Sequence, residues 1–345
     1  MFGSFRRAAQ TPSAALRVVA AALAVVLAAA GCADGPSVDP ATGGEPTTGF
    51  PRTVRHAFGE TTVPAPPQRI VALGLNDLAV AHAVGAPVVG AVGNVTGPAN
   101  PPYLSPPLPD DVLGLELAGP PNYERIAAYR PDVILAVSSP LVTSRASYDE
   151  LSRIAPVVVF ERELYGSSMA DDARMIGRAL GREDAVESLI QNADAQIATL
   201  RRELPGLVGR TYLFGQARGN VLPMVVGERN LSTGFMRSMG LQVPASLRDA
   251  PASAALAPGT VGLSYEQAGL LNDADVLLMT FATPDDRSRF EHNPLIRGVR
   301  PVRQGHYQPL TLDQAVVLQA PNVVTVPWLL DGIRPTLAGV AAAPR

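Results

Sequence analysis

The residues able to do chemistry in this chain are arginines and aromatic rings, not nucleophiles or metal ligands. All 28 basic side chains are arginine and lysine is absent, which excludes a P-loop lysine, a Schiff-base lysine and a lysine general base. No G-x-S-x-G or H-E-x-x-H pattern occurs, and the one cysteine, Cys32, leaves no pair for a metal or an internal disulfide. The histidines His56, His82, His292 and His306 are too scattered to suggest a cage. His82 falls inside a predicted helix and reads as a packing residue. What remains is a set of planar cations and flat rings. Arg145, Arg218, Arg229, Arg287 and Arg289 fall in predicted loops beside strand ends, with Tyr103, Tyr148, Tyr165, Phe281 and Phe290 nearby. A guanidinium presents forked donors to oxygen atoms, and a ring presents apolar surface. That is equipment for binding. Arg218, directly after the strand predicted over Thr211–Gly215, is the foremost candidate. Arginines are ordinarily solvated and rings ordinarily fill cores, so roughly half of these residues are expected to do only that.

The elements that must position these residues alternate strand and helix. Apolar residues recur at helical spacing through Met169, Ala173, Ile176 and Leu180, then Val186, Leu189, Ala193, Ile197, Leu200 and Leu204. Gly181 ends the first helix as a left-handed cap, and Pro205-Gly206 ends the second. The second helix spans roughly 33 Å at about 1.5 Å per residue, long enough to join two lobes. Before it come a hairpin over Thr53–Gly59, strands Arg69–Gly74, Val88–Val92, Asp132–Val137 and Val157–Phe160, and helices capped by Asn76 or Asp77 and by Asn122. Another helix is predicted near Tyr148–Ile154, and a proline-rich loop around Tyr103. After the long helix come strands Thr211–Gly215 and Asp275–Phe281, helices Asn230–Met239 and Ser264–Leu271, and a terminal helix through Trp328 to Ile333. Brief strand–helix–strand units imply parallel pairing. An internal echo supports two similar halves: Tyr123-Glu124, followed by Asp132-Val133-Ile134, is matched by Tyr265-Glu266, followed by Asp275-Val276-Leu277.

At 345 residues and 47% hydrophobic content the chain has room for two globular lobes. A formal net charge of −3 and the lack of a basic run argue against a nucleic-acid partner. Arg6, Arg7 and Arg17 precede an apolar run from Val18 to Ala30, which has the layout of a secretory signal. Its end, Leu27-Ala28-Ala29-Ala30-Gly31-Cys32, resembles a bacterial lipobox, in which the cysteine is lipidated. Residues 33–51, rich in Gly, Pro, Thr and Asp, read as a flexible tether.

Five segments resemble the periplasmic-binding-protein family for iron–siderophore, haem and cobalamin uptake. They are Pro67-Gln68-Arg69-Ile70-Val71-Ala72-Leu73, the run from Asn122 to Ile134, the run from Leu151 to Val157, Ala274-Asp275-Val276-Leu277, and Asn293-Pro294-Leu295. The resemblance implies an α/β fold, with two Rossmann-like lobes of central parallel sheets joined by one long rigid interlobe helix. The implied organisation is a lipoprotein signal over 1–31, tether 32–51, N-terminal lobe 52–166, helical linker 167–204 and C-terminal lobe 205–345. It further implies a ferric siderophore captured in the cleft and an ABC importer permease as partner. The ligand residues would be Arg218, Arg229, Arg145, Arg289, Tyr103 and Phe281. Glu124 and Glu266 match the family positions that meet permease arginines. Cys32 would be the membrane anchor, and the protein a monomer without cofactor or resident metal. The alternative within the class is haem or another tetrapyrrole, with His292, His306 or Tyr103 as axial donor. The alternative outside it is a secreted enzyme without a recognisable motif.

Overall fold

Short runs of β-branched and aliphatic residues pair into two sheets on either side of the long helix in the chain. The structure, a computed structural model, describes residues 49–93, 100–117, 119–248, 250, 251, 253, 256, 257 and 259–344, all within one unit, Thr47–Arg345. The expected signal, Cys32 and nearly all of the tether lie outside the described residues. A hairpin of β1 (Arg52–His56) and β2 (Gly59–Val63) comes first. There follow β3 (Ile70–Ala72), α1 (Leu75–Ala83), β4 (Val88–Ala91), α2 (Tyr123–Ala128), β5 (Val133–Ala136), α3 (Arg145–Ser152) and β6 (Val157–Val159). The four strands after the hairpin form a parallel sheet in the order β4-β3-β5-β6. Every residue of β3, β5 and β6 is buried, as a sheet covered on both faces requires.

Two helices carry the chain to the second sheet. In α4 (Met169–Leu180) the Ser168 hydroxyl accepts the Asp171 N–H, and Gly181 closes the helix at φ 65°, a left-handed conformation that suits glycine. Next comes α5 (Glu183–Glu203), 21 residues long, which buries Val186, Ile190, Ala193, Ile197 and Leu200. Leu189 of the expected stripe is only partly buried, and Ile190 takes its place in the core. A Cβ on Gly177 would lie 2.9 Å from Val186 Cγ2, so glycine sets the close approach of α4 and α5. A 3-10 turn, Pro205–Leu207, stops α5. No helix of the described residues is long and apolar enough to cross a membrane.

The second half comprises β7 (Tyr212–Ala217), β8 (Val221–Val225), α6 (Leu231–Ser238), α7 (Ala245–Arg248), β9 (Thr260–Ser264) and a 3-10 helix, Tyr265–Asp273. Then come β10 (Val276–Phe281), α8 (Pro284–His292), α9 (Pro294–Arg297), α10 (Arg300–Arg303), β11 (Tyr307–Pro309), α11 (Leu312–Gln319) and α12 (Val326–Ala342). The sheet order is β11-β10-β7-β8-β9. It departs from the wholly parallel expectation, because β8 runs antiparallel to both β7 and β9. The cause is a tight turn: Arg218 and Val221 bond each other's backbone and Gly219 takes φ 57°, so the chain folds straight back.

Three local expectations change. Asn76 and Asp77 do not cap α1, which starts at Leu75 after Gly74. The helix expected over Ser264–Leu271 is a 3-10 helix, although Gln267 Oε1 does accept the Ser264 N–H at 3.0 Å. Arg145, Arg287 and Arg289 lie in helices, not loops, because Ser144 caps α3 and Thr283 caps α8, each through its side chain.

The sequence echo has a physical cause. Asp132, just before β5, accepts the Gln68 and Arg69 N–H groups at 2.6 and 3.0 Å, at the entry to β3. Asp275, just before β10, accepts the Thr211 N–H at 2.8 Å, at the entry to β7. Each aspartate satisfies backbone donors where a strand begins and fixes the register of the central pair, Ile70 with Val133 and Tyr212 with Val276.

Candidate functional site

Parallel strands present their carboxyl ends together, and in open α/β sheets ligands bind beyond those ends. A cavity of about 320 Å³ lies there, walled by both sheets. From the first sheet come Leu75 and Asn76 after β3, and Ser138 and Pro140 after β5. From the second come Phe214, Gly215 and Gln216 of β7, Pro223 and Val225 of β8, and Thr280 of β10. Leu312, Ala315, Val316 and Gln319 of α11 form a further wall, with Tyr103 and Tyr165 from loops. Gly215 is required: a Cβ there would sit 2.3 Å from the Pro223 carbonyl and 2.5 Å from Met224 Sδ.

The floor is a knot of buried polar groups. Asp77 is 0% exposed and accepts the Val137 N–H at 2.9 Å, the Ser138 N–H at 3.1 Å and the Ser138 hydroxyl at 3.0 Å. Burial outweighs these bonds and pushes its pKa up to about 6. Gly74 makes the knot possible, since a Cβ there would fall 2.2 Å from Asp77 Oδ2 and 2.3 Å from Ser138 Oγ. Ser138 Oγ also accepts the Asn76 N–H at 3.2 Å. Asn76 Oδ1 accepts from Asn322 Nδ2 at 2.9 Å, while Asn76 Nδ2 is buried without a partner among the described residues. Burial, then Asp77, pushes the Tyr165 phenol up to about 12. Burial, then Asp313, pushes the Tyr103 phenol up as well. Both therefore stay neutral hydrogen-bonding phenols.

Of the residues singled out in the sequence, Arg218 and Tyr103 line this cavity, and so does Tyr165. The exposed Arg218 guanidinium is steadied by Gln216 Oε1, which accepts from Nε at 3.3 Å and Nη2 at 2.9 Å. Tyr103 packs its ring against Trp328 at 6.0 Å. Arg229 lines an adjoining hollow with Glu163, Glu228 and, as common wall, Tyr165. The rest lie outside the cavity lining. Arg145 pairs with Asp149 at 2.8 Å and covers the Tyr148 ring. Arg289 pairs with Asp286 at 3.5 Å. Phe281 packs edge-on against the buried Phe290, and Arg287 covers it. Glu124 is exposed in the first turn of α2, where Asn122 Oδ1 accepts the Arg125 N–H. Glu266 is exposed in the first turn of the 3-10 helix after β9, and the Ser264 hydroxyl holds its carboxyl below the ordinary pKa. His292 bonds within α8 and His306 is buried away from the cavity. Ser138, Thr280 and α11 line the cavity without having stood out in the sequence, and Asn76 stood out only as a helix cap. The Thr311-x-x-Gln314 capping box was an available signal for α11.

Residues 70–306 match the model of a family described as periplasmic binding protein. The chain is 32% identical over 176 residues to the probable siderophore-binding lipoprotein YfiY of Bacillus subtilis strain 168, covering 48% of this chain and 51% of YfiY. It spans only about half the length of that relative. It is 27% identical over 249 residues to the Fe(3+) dicitrate-binding periplasmic protein FecB of Escherichia coli K12, covering 71% of this chain and 77% of FecB. A solved periplasmic solute binding protein from Mycobacterium smegmatis superposes with a TM-score of 0.68 at 27% identity, over 84% of this chain and 99% of that one. The family match runs from the first strand of the parallel sheet to the residue before β11, over more than half of the sequence, and the chain belongs to the periplasmic binding protein family.

Proposed function

We propose that this protein is a lipid-anchored solute-binding protein that captures a ferric siderophore in the cavity and delivers it to an ABC importer. The observation that carries the reading is the cavity itself: apolar walls from both sheets, neutral phenols and amides, and one guanidinium at the carboxyl ends of the strands. Such a lining needs no iron ligands of its own, because a siderophore brings the metal already coordinated. The names of YfiY and FecB support a ferric chelate as the solute. No chemical step is assigned to the site; its residues orient and desolvate.

The remaining parts of the reading follow from the family likeness. Lobes over 52–166 and 205–345 would flank the cleft, joined through 167–204. Lipid on Cys32 would tether the mature chain to the outer face of the cytoplasmic membrane. Glu124 and Glu266 would meet permease arginines, and their exposure in the first turns of equivalent helices supports this. A tetrapyrrole is less well supported, since of its three expected axial donors only Tyr103 lines the cavity.

The test is a fluorescence titration of the mature chain with ferric chelates. Trp328, the sole tryptophan, touches the cavity wall through Tyr103. A ferric chelate in the cavity should quench it saturably, and should raise the melting temperature. Flat emission and an unmoved melting temperature across hydroxamate, catecholate and citrate complexes would refute the reading.

A further inference from the structure

We propose that the cavity selects a ferric chelate of little or no net charge, with a hydrocarbon exterior, over polyanionic chelates. This inference rests on the reading of the cavity as the siderophore site. It concerns what the lining can neutralise. Among the described residues that line the cavity, Arg218 is the one charged side chain. The undescribed residues between 94 and 258 contain no basic side chain. Residues 94–99 read Asn-Val-Thr-Gly-Pro-Ala, residues 118, 252, 254 and 255 are alanine, 258 is proline, and 249 is an aspartate. Arg229, in the adjoining hollow, shares it with Glu163 and Glu228, so that hollow brings no positive surplus.

The charges behind the walls have the wrong sign for a polyanion. Asp77 stands directly beneath Ser138, and Asp313 lies close enough to Tyr103 to raise its pKa. A chelate carrying three or more negative charges would lose its hydration in an apolar cavity and meet one counter-charge, an uncompensated burial. A neutral chelate faces no such cost. Its amide and hydroxamate oxygens need neutral donors, and the Tyr103 and Tyr165 phenols and the Gln216 and Gln319 amides that line the cavity are of that kind. Its hydrocarbon rim meets Leu75, Phe214, Val225, Leu312 and Val316.

The experiment titrates the mature chain by Trp328 quenching with three probes: a neutral ferric trishydroxamate, the trianionic ferric complex of a triscatecholate, and ferric citrate. Each is run at low and at high sodium chloride. The neutral complex is expected to bind at least about 100-fold more tightly than either anion, a gap of about 2.7 kcal/mol. Its affinity should change less than about two-fold with salt, since little charge is paired on binding. A triscatecholate or citrate complex that binds as tightly as the neutral one overturns the inference while leaving siderophore capture intact. So does a steep salt dependence for the neutral complex. If no probe quenches and none moves the melting temperature, the siderophore reading falls and the inference falls with it.

Discussion

Asp172 offers a quantitative test of how the buried acids under the cavity shape this molecule. It lies in the first turn of α4 and is 6% exposed. Burial, then the neighbouring Asp77, pushes its pKa up to about 8 from the ordinary 3.8, against a hydrogen bond from Ser167. Between those values the folded chain keeps a proton that the unfolded chain releases. Its contribution to stability is therefore full below about pH 4 and is lost as pH rises through about 8. At pH 7, about three units above the unfolded value, the loss is about 4 kcal/mol at about 1.36 kcal/mol per unit. Asp172→Asn mimics the protonated acid without that dependence, although its amide must find new partners, at a cost of about 1–2 kcal/mol. The variant should then be about 2–3 kcal/mol more stable than wild type at pH 7, and about 1 kcal/mol less stable at pH 4, where little of that loss has set in and the amide cost remains. Urea unfolding at both pH values, with the slope m unchanged, reads this directly. A difference that does not vary with pH, or a variant less stable at pH 7, would refute the burial argument.

Arg218→Ala should weaken chelate binding by about 1.5–3 kcal/mol, the worth of a charge-assisted hydrogen bond, without lowering the melting temperature of the empty protein; unchanged affinity would return Arg218 to the solvated surface. Glu124→Ala combined with Glu266→Ala should leave chelate affinity intact and abolish uptake in cells. Normal uptake in that strain would reduce both residues to helix-end charges. Cys32→Ala should release the protein from the membrane fraction or leave the signal attached, and a processed, membrane-bound variant would contradict the lipid anchor.

The fold was most legible where burial dictates residue type. The runs Ile70–Ala72 and Val133–Ala136 are apolar throughout because both sheet faces are covered, so their parallel pairing could be read from composition. The stripe of α5 was legible because one face meets the core for 21 residues. Strand β8 was hidden by Pro223, which argues against a strand interior but here sits opposite Gly262. Helix α8 was hidden because its residues, Asp285, Asp286, Arg287 and Arg289 among them, carry no apolar period; only Thr283 and Pro284 announce it. Helix α12 runs past Pro335, which no local rule would have allowed.

Within the site, Arg218 and Tyr103 line the cavity, and for Arg218 adjacency to the end of β7 is what brings it there. Arg145 and Arg289 lie outside the cavity lining, on helices α3 and α8 that Ser144 and Thr283 cap. Asn76 was read as a cap because asparagine before an apolar run usually is one. Its actual surroundings, Ser138 from one strand end and Asn322 from far along the chain, are tertiary facts that no local pattern encodes.

On the proposed function, the iron chelate sits in the cavity between the two sheets. Crystals of the mature protein soaked with a ferric chelate that saturates it in solution, measured at the iron absorption edge, test this most directly. One anomalous peak is expected, inside the cavity bounded by Tyr103, Tyr165 and Arg218. A peak on the outer surface, or none in the cavity at full occupancy in solution, would contradict it.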